Sequence, residues 1–213
     1  MKDLYIIGAG GLGREVAWVV ERINVVEKEW NLLGFIDDDP DKQGQIINDI
    51  PVVGTVDYLA DHQDAYAVCA IGSPKIKREI IEKLKKNAPQ LHYATLIDPS
   101  VKMSRFIEIG EGTIICPGCI LTVNITIGKQ VYLNLDSTVG HDAIIGDYVS
   151  IMPSANISGC TDIGEGTEIG TGVQIIQGIK ICADTVIGAG AVVVKGIEEA
   201  GVFTGVPAKR LEK

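Results

Sequence analysis

The sequence predicts two domains: an α/β domain of half-Rossmann type over residues 1–96, then an all-β parallel β-helix over residues 97–213. Three observations support this division. A six-residue repeat begins at Ile97 and runs almost to the C-terminus. A glycine-rich turn follows the first apolar run of the chain, as in nucleotide-binding α/β units. Glycine is abundant, with 25 residues, and aromatic residues make up only 5% of the chain, which favours tight corners and an aliphatic core.

The repeat is defined by an apolar residue at the first position of each hexad. All 17 of these positions are apolar: Ile97, Met103, Ile109, Ile115, Leu121, Ile127, Leu133, Val139, Ile145, Ile151, Ile157, Ile163, Ile169, Ile175, Ile181, Ile187 and Val193. Chance would produce this pattern in roughly one of 10⁵ chains of average apolar content. The fifth position of each hexad is small or β-branched. Glycine follows the leading residue in seven hexads: Gly110, Gly128, Gly140, Gly146, Gly164, Gly170 and Gly188.

A six-residue period matches no face of an α-helix, so each hexad is predicted to form a short strand and a corner. The leading aliphatic side chain points inward and stacks on its equivalent in the next coil. Neighbouring coils then pair as parallel strands about 4.8 Å apart. Because a single coil has no core of its own, the array must be long and capped at its ends.

The first 96 residues alternate between apolar runs and helical patterns, which predicts a small parallel α/β domain. Strands are expected at residues 4–8, 32–36 and 65–72, and helices at residues 14–23 and 74–87. In the second helix, one apolar face is predicted, and its lysines are expected to be solvated. The face consists of Ile76, Ile80, Ile81 and Leu84.

The turn after the first strand contains Gly8, Gly10, Gly11 and Gly13 in a G-x-G-x-x-G spacing. This spacing places backbone amides at a helix N-terminus, where they favour a phosphate group. Asp37 follows this turn at roughly the distance expected of a ribose-binding acid. A nucleotide or nucleotide-sugar site, an NAD site and a purely structural turn all remain open. The short length of the domain, about half of a full dinucleotide fold, argues against NAD.

Charge and cysteine content restrict the function classes. The net charge of −9 disfavours nucleic-acid binding. Five cysteines, without a recognisable secretion signal, favour reduced thiols and a cytoplasmic location. No segment approaches the roughly 20 apolar residues that span a membrane, so no membrane insertion is expected.

Taken together, the GAGGLGRE turn, the IDDD segment at residues 36–39 and the repeat that carries GHD at residues 140–142 resemble the sialic acid O-acetyltransferase and bacillosamine-type sugar N-acetyltransferase family. The resemblance covers essentially the whole chain. It implies a left-handed β-helix with three hexads per coil, a homotrimer and acetyl-CoA as co-substrate, without a metal. It also implies that the N-terminal domain binds a nucleotide-sugar or sugar acceptor, through the turn glycines, Asp37, Asp38, Gly72 and Ser73. Leu12 stands where many members have histidine, so the acceptor itself is not carried over.

His141 is the only histidine in the repeat, and it occupies the third, outward-facing position of its hexad. The resemblance assigns it as the catalytic base that takes a proton from an acceptor amine or hydroxyl during direct acyl transfer. Asp142 would orient the ring. The resemblance also implies that Asn134 belongs to the active site, because family members often have a polar residue at that position. Ser137 and Cys160 are candidate nucleophiles for a covalent route, but neither has an evident base in the sequence.

With three hexads per coil, Gly159 should lie one coil from His141, about 4.8 Å away, where its amide would stabilise a thioester oxyanion. Lys195 lies three coils from His141, about 14 Å away by the same spacing, and is a candidate contact for a CoA phosphate. The resemblance also predicts that CoA runs along a set of small residues and a C-terminal loop: Gly170, Thr171, Gly172, Ala189, Gly190, Pro207 and Ala208.

Other functions of the same fold are less well supported. A γ-type carbonic anhydrase needs three histidine ligands for zinc, and the repeat has one histidine. Cys116 and Cys119 have the CxxC spacing but no second ligand pair, so they are expected to be structural. An NAD-dependent oxidoreductase and a non-catalytic nucleotide-sugar-binding protein remain as alternatives.

Overall fold

A computed structural model describes residues 1–212 of the chain. The chain divides into two compact units, Met1–Pro99 and Ser100–Lys213. The predicted boundary after residue 96 therefore lies three residues before the structural one. The first unit is an α/β domain and the second is a parallel β-helix, and each is described by itself below.

The first unit contains a six-stranded sheet and two α-helices. Its elements are β1 (Lys2–Ile7), α1 (Gly11–Val26), β2 (Trp30–Ile36), β3 (Ile46–Ile47), β4 (Ile50–Gly54), β5 (Tyr66–Cys69), α2 (Pro74–Asn87), β6 (His92–Tyr93) and the short β7 (Leu96–Ile97), with 3₁₀ turns at Pro40–Lys42 and Val56–Asp61. The sheet order is β3-β4-β2-β1-β5-β6. All neighbours are parallel except β3 and β4, which form an antiparallel hairpin that the sequence pattern did not predict.

The buried face of α2 differs from the predicted one. Lys77 is 1% exposed, so the expectation that every lysine of this helix is solvated was wrong. Lys77, Ile81 and Leu84 are spaced by four and three residues, and this spacing places them on the buried side of the helix. Ile76, predicted to be buried, is 50% exposed because it lies one residue off that face. Burial lowers the pKa of the Lys77 ammonium to about 8.

The second unit consists of short strands on three faces. They are β8 (Lys102–Met103), β9 (Ile107–Ile109), β10 (Ile114–Ile115), β11 (Ile120–Leu121), β12 (Ile125–Ile127), β13 (Tyr132–Leu133), β14 (Thr138–Val139), β15 (Ile144–Ile145), β16 (Ser150–Ile151), β17 (Asn156–Ile157), β18 (Asp162–Ile163), β19 (Glu168–Ile169), β20 (Gln174–Ile175), β21 (Lys180–Ile181), β22 (Val186–Ile187), β23 (Val192–Val193), β24 (Val202–Thr204) and β25 (Lys209–Arg210). Every third strand belongs to the same sheet. Val139 pairs with Ile157 and Ile157 with Ile175, so one coil consists of three hexads.

Three faces result from this pairing. We call them face A (strands β10, β13, β16, β19, β22 and β24), face B (strands β8, β11, β14, β17, β20 and β23) and face C (strands β9, β12, β15, β18 and β21). The chain visits them in the order A, B, C, and turns at a corner after each. The A–B corner and the B–C corner are therefore separate edges of the same prism.

The leading residues form the core, as predicted, from Ile115 to Val193, where each is at most 3% exposed. The first coil differs. Met103 is 39% exposed, and Ile97 and Ile109 are only half-buried. The prediction that these three residues are also core was wrong, because the first coil can stack on a following coil but not on a preceding one.

The last coil departs from the repeat. Ile181 bridges to Ile197, and Val186 pairs with Val202, so both pairs are closer in sequence than the three hexads that separate partners in the other coils. The prediction of an unbroken repeat to residue 198 was therefore wrong beyond Val193. β25 then pairs antiparallel with β24, and this reversal ends the parallel stacking.

The glycine after a leading residue is required by close approach of the next coil. A Cβ built on Gly146 would lie 2.6 Å from the amide nitrogen of Glu165 and 3.0 Å from its Cα. Left-handed backbone occurs two residues further on, at the fourth position of the hexad. Asn, Asp, Gly, Ser, Gln, Tyr and Cys all occupy such positions here with φ between 55° and 79°.

Candidate active site

His141 and Asp142 form a hydrogen-bonded pair on the B–C corner, directly after β14. His141 Nδ1 lies 2.8 Å from Asp142 Oδ2, and the two side chains are 49% and 52% exposed. An ionised carboxylate accepts a hydrogen bond and favours the tautomer with the proton on Nδ1. The other ring nitrogen, Nε2, then carries a lone pair that can take a proton.

Asn124 supports this pair and was missed by the sequence analysis. Its Nδ2 donates to Asp142 Oδ1 at 3.2 Å, from the same corner one coil earlier. The hydrogen bonds from His141 and Asn124 lower the pKa of Asp142. The period of the repeat was the available signal, because Asn124 lies three hexads before Asp142.

Replacing Asn124 by glycine is expected to lower kcat by about three- to tenfold, since the loss of one such hydrogen bond costs about 0.5–1.5 kcal/mol. Glycine tolerates the left-handed backbone at φ 55°, so this change removes the amide without adding strain. The control is Asp184→Gly, an exposed position with the same φ of 55° on another corner. Steady-state kinetics of both variants checks this, and an unchanged kcat in Asn124→Gly would show that Asp142 needs no such support.

Gly159 lies on the His141 ring, as predicted from its position three hexads after His141. A Cβ built on Gly159 would be 2.6 Å from His141 Nε2, so glycine is needed for the ring to keep its place. The amides of Ser158 and Cys160 donate to Ile175 and His141, whereas the Gly159 N–H has no acceptor among residues 1–212. A free N–H beside Nε2 can donate to a developing oxyanion, and the assignment of that role to Gly159 stays a prediction.

The predicted CoA residues lie on two different corners. Gly159 and Lys195 share the B–C corner with His141, and Lys195 is exposed. The remaining small residues follow strands of face A and so belong to the A–B corner: Gly170, Thr171, Gly172, Ala189 and Gly190. Asn134 follows β13 of face A and belongs to that corner too. One chain therefore does not bring Asn134 to His141.

Asn134 is 7% exposed, and its Oδ1 accepts a hydrogen bond from the Leu135 amide at 2.7 Å. Its predicted catalytic role stays a prediction. Pro207 and Ala208 lie in the C-terminal loop, where the Ala208 amide donates to Val192 of β23 at 2.8 Å. That bond attaches the loop to the last coil of face B.

In the N-terminal unit, Asp37 organises the glycine turn. Its Oδ2 accepts from the Ala9 amide at 2.8 Å and from Lys42 Nζ at 3.0 Å, and its Oδ1 accepts from the Asp39 amide at 3.0 Å. Burial alone would raise the pKa of Asp37, but these hydrogen bonds outweigh it and lower the pKa. Both oxygens are thus engaged by the protein, which supports a positioning role for the carboxylate.

A cavity of about 280 Å³ opens at the carboxyl ends of β1 and β2 in the N-terminal unit. Its lining comprises Ile7, Gly8, Ile36, Asp37, Asp38, Asp39, Val56, Ile71, Ile76 and Ile80. Ligands of open α/β sheets bind at this edge. The apolar half of the lining, with Ile76 and Ile80 of α2, was not predicted, although their position on the helix outside the buried face could have indicated it.

The other predicted acceptor residues have structural explanations. Gly10 caps α1 and Gly11 begins it. A Cβ at Gly13 would overlap the Gly8 carbonyl group, so Gly13 lets the helix approach β1. Ser73 caps α2, with its Oγ 3.5 Å from the Ile76 amide, and Gly72 precedes it. Of the predicted acceptor residues, Gly8, Asp37 and Asp38 line the 280 Å³ cavity, whereas these other glycines and Ser73 do not.

Asp37 also predicts a pH dependence of stability. Because its pKa is lower in the folded chain, it stabilises the fold above its ordinary pKa near 4, and this contribution is lost as the pH falls through the lowered value. We expect the free energy of unfolding to fall less steeply below pH ~4 in Asp37→Asn than in the wild type. Urea titrations across that range check this, with the exposed Asp61→Asn as control; parallel pH profiles would contradict it.

Of the alternative nucleophiles and the CxxC pair, all but Cys160 are buried. Ser137 is buried and its Oγ donates to the Met152 carbonyl at 3.2 Å. Cys116 and Cys119 are 1% and 0% exposed, and they contact Tyr132 and the Asn134 carbonyl respectively. Cys160 is the exposed cysteine among the five.

Among residues 1–212, no helix is long and apolar enough to cross a membrane.

The chain is similar in sequence to known proteins. Residues 3–84 match the family described as the PglD N-terminal domain. GDP-perosamine N-acetyltransferase of Escherichia coli O157:H7 is 31% identical over 162 residues, which cover 74% of this chain and 71% of that protein.

Solved structures are similar over the whole chain. The H141N variant of perosamine N-acetyltransferase from Caulobacter crescentus, in complex with CoA and GDP-perosamine, has a TM-score of 0.90 at 25% identity, covering 100% of this chain and 98% of that one. The acetyltransferase domain of PglB from Neisseria gonorrhoeae has a TM-score of 0.87 at 31% identity, covering 99% and 100%. These similarities confirm the predicted fold class, with its left-handed β-helix. The chain belongs to the bacillosamine-type sugar N-acetyltransferases of the hexapeptide-repeat family.

Proposed function

We propose that this protein transfers the acetyl group of acetyl-CoA to an amino group of a nucleotide-linked sugar. The observation that carries the proposal is the His141–Asp142 pair, which leaves His141 Nε2 free beside the unpaired amide of Gly159. Relatives add support for the substrates, since one was solved with CoA and GDP-perosamine and another with acetyl-CoA. The perosamine relatives are N-acetyltransferases, which favours an amine over a hydroxyl acceptor.

The transfer is direct. The acceptor nitrogen attacks the thioester carbon while His141 Nε2 takes a proton from that nitrogen, and the carbonyl becomes an oxyanion. The Gly159 N–H donates to this oxyanion. When the intermediate collapses, the C–S bond breaks and the imidazolium returns its proton to the leaving thiolate of CoA. Asp142 remains ionised and stabilises the imidazolium in between.

We also propose that the active enzyme is a homotrimer. The argument is the division of the predicted CoA residues between the A–B and B–C corners, which are separate edges of one subunit. In a trimer of β-helices, the A–B corner of one subunit can face the B–C corner of the next, so that CoA contacts both. A symmetric ring of this kind closes after three copies.

The use of acetyl-CoA and the five cysteines in the thiol form fit a cytoplasmic location.

The N-terminal unit is proposed to hold the nucleotide of the acceptor in the 280 Å³ cavity. Asp38 is the polar group best placed to recognise it. Its Oδ1 accepts from the Val56 amide at 2.7 Å, and this bond sets the orientation of the carboxylate in the cavity wall. The isoleucines that also line the cavity suit the face of a base.

The test is release of free thiol from acetyl-CoA with a panel of acceptors: GDP-perosamine, UDP- and dTDP-linked amino sugars, and free sialic acid. We expect turnover with at least one amino sugar, and an acetamide in the product by mass spectrometry. Turnover with sialic acid alone would replace N-acetylation by O-acetylation. Absence of thiol release with every acceptor, while acetyl-CoA still binds by calorimetry, would contradict the proposed acceptor class.

A further inference from the structure

A third side chain lies next to the His141–Asp142 pair. Cys160 occupies the same corner as Asp142 one coil later, and its amide donates to the His141 carbonyl at 2.7 Å. A ring nitrogen of His141, a carboxylate oxygen of Asp142 and Cys160 Sγ all lie within 4.8 Å of one another. All three side chains are exposed in the single chain, and in the proposed trimer the substrates must still reach His141, so an ion reaches the group by the same route.

Imidazole nitrogen, carboxylate oxygen and thiolate sulfur are the protein ligands that Zn²⁺ prefers. Ligand atoms around a tetrahedral Zn²⁺ with bonds of about 2.0–2.3 Å are roughly 3.3–3.8 Å apart. The ligand atoms are now up to 4.8 Å apart, and side-chain rotations that move them by about an ångström would bring them into that range. Exposed side chains make such rotations readily. A fourth position is left to water.

We propose that His141, Asp142 and Cys160 form a binding site for Zn²⁺ that inhibits the acetyl transfer. The ring nitrogen beside Asp142 is Nδ1, so the ion replaces the proton that lies between Nδ1 and Oδ2. The proton of Nδ1 is then held on Nε2, and the Cys160 thiol releases its proton to solvent as the thiolate binds. With a proton on Nε2, His141 no longer accepts one from the acceptor.

Bound Zn²⁺ thus changes the tautomer of His141 from the one that Asp142 selects, with the proton on Nδ1, to the one with the proton on Nε2. This consequence for turnover rests on the proposed role of His141 as base, whereas binding of the ion does not. In the direct transfer proposed above, Cys160 forms no bond to either substrate, so we expect Cys160→Ser to keep the basal reaction. Serine suits its left-handed backbone at φ 56°, since Ser154 adopts φ 60° at an equivalent corner.

The experiment uses the full-length protein in metal-free buffer, with wild type, Cys160→Ser and Cys182→Ser compared. Cys182 is a matched control because it is a repeat cysteine whose Sγ contacts Thr185 Oγ1 rather than His141. We expect Zn²⁺ to lower kcat of the wild type and of Cys182→Ser, and EDTA to restore it. Cys160→Ser should need at least about tenfold more Zn²⁺, since weaker perturbations of a site already cost 10–100-fold in affinity.

Co²⁺ provides a readout that needs no turnover. Wild type and Cys182→Ser should show a thiolate-to-cobalt charge-transfer band in the near ultraviolet, and Cys160→Ser should lack it. Equal zinc sensitivity of Cys160→Ser and wild type, or a cobalt spectrum without the thiolate band, would overturn the site. A normal cobalt band with no zinc inhibition would keep the site and instead contradict His141 as the base.

Discussion

Replacing His141 by alanine is expected to lower kcat by about 10²–10⁴-fold, the usual contribution of a general base. The side chain is 49% exposed and its ring packs on Gly159 rather than in the core. The free energy of unfolding should therefore change by no more than about 0.5 kcal/mol, as for other surface substitutions. Binding of acetyl-CoA should persist, because the predicted CoA contacts lie outside the imidazole.

The measurement is thiol release under saturating substrates, with thermal unfolding of the same samples. His92→Ala is the control, since His92 is an exposed histidine of the other unit. Asp142→Asn separates the two members of the pair: it keeps a polar side chain of the same size but removes the charge that stabilises the imidazolium. A kcat of His141→Ala within about tenfold of wild type would exclude a general base at this position.

Gly159→Ala is expected to lower kcat by about 10²-fold, with an unchanged fold. The added Cβ would lie 2.6 Å from His141 Nε2, so the ring must move, and misplacement of a catalytic group by about 1 Å costs about this much. The backbone of Gly159 has no positive φ, so alanine introduces no strain of its own. The whole effect should therefore arise from the displaced imidazole and the crowded amide.

Gln177→Ala is the matched control, because Gln177 follows Gly159 in the same column one coil later. Its truncation adds no atom near His141, and we expect kcat within about twofold of wild type, as at surface positions without a role. If Gly159→Ala kept the full kcat, neither the position of the ring nor the Gly159 amide would matter for the transfer. A fall in kcat with an unchanged KM for acetyl-CoA would locate the defect in the chemical step.

The sequence by itself determined the β-helix and the placement of Gly159 next to His141 on one corner. A core built from one residue in six leaves a linear pattern, because each leading side chain from Ile115 onward meets its equivalents in neighbouring coils. The same period by itself predicts that Gly159 lies beside His141. The α/β unit was predictable for a similar reason, since buried strands and amphipathic helices have their own periods.

The tertiary structure decided what periodicity does not encode. Lys77 is buried although its charge predicted the opposite, because its position on the helix, and not its polarity, places it on the buried side. The repeat shortens after Val193, where the chain must end the stacking rather than continue it. Asn124 and Cys160 join the predicted His141–Asp142 pair because hydrogen bonds and donor distances depend on how corner side chains rotate. A one-dimensional pattern contains no information about that rotation.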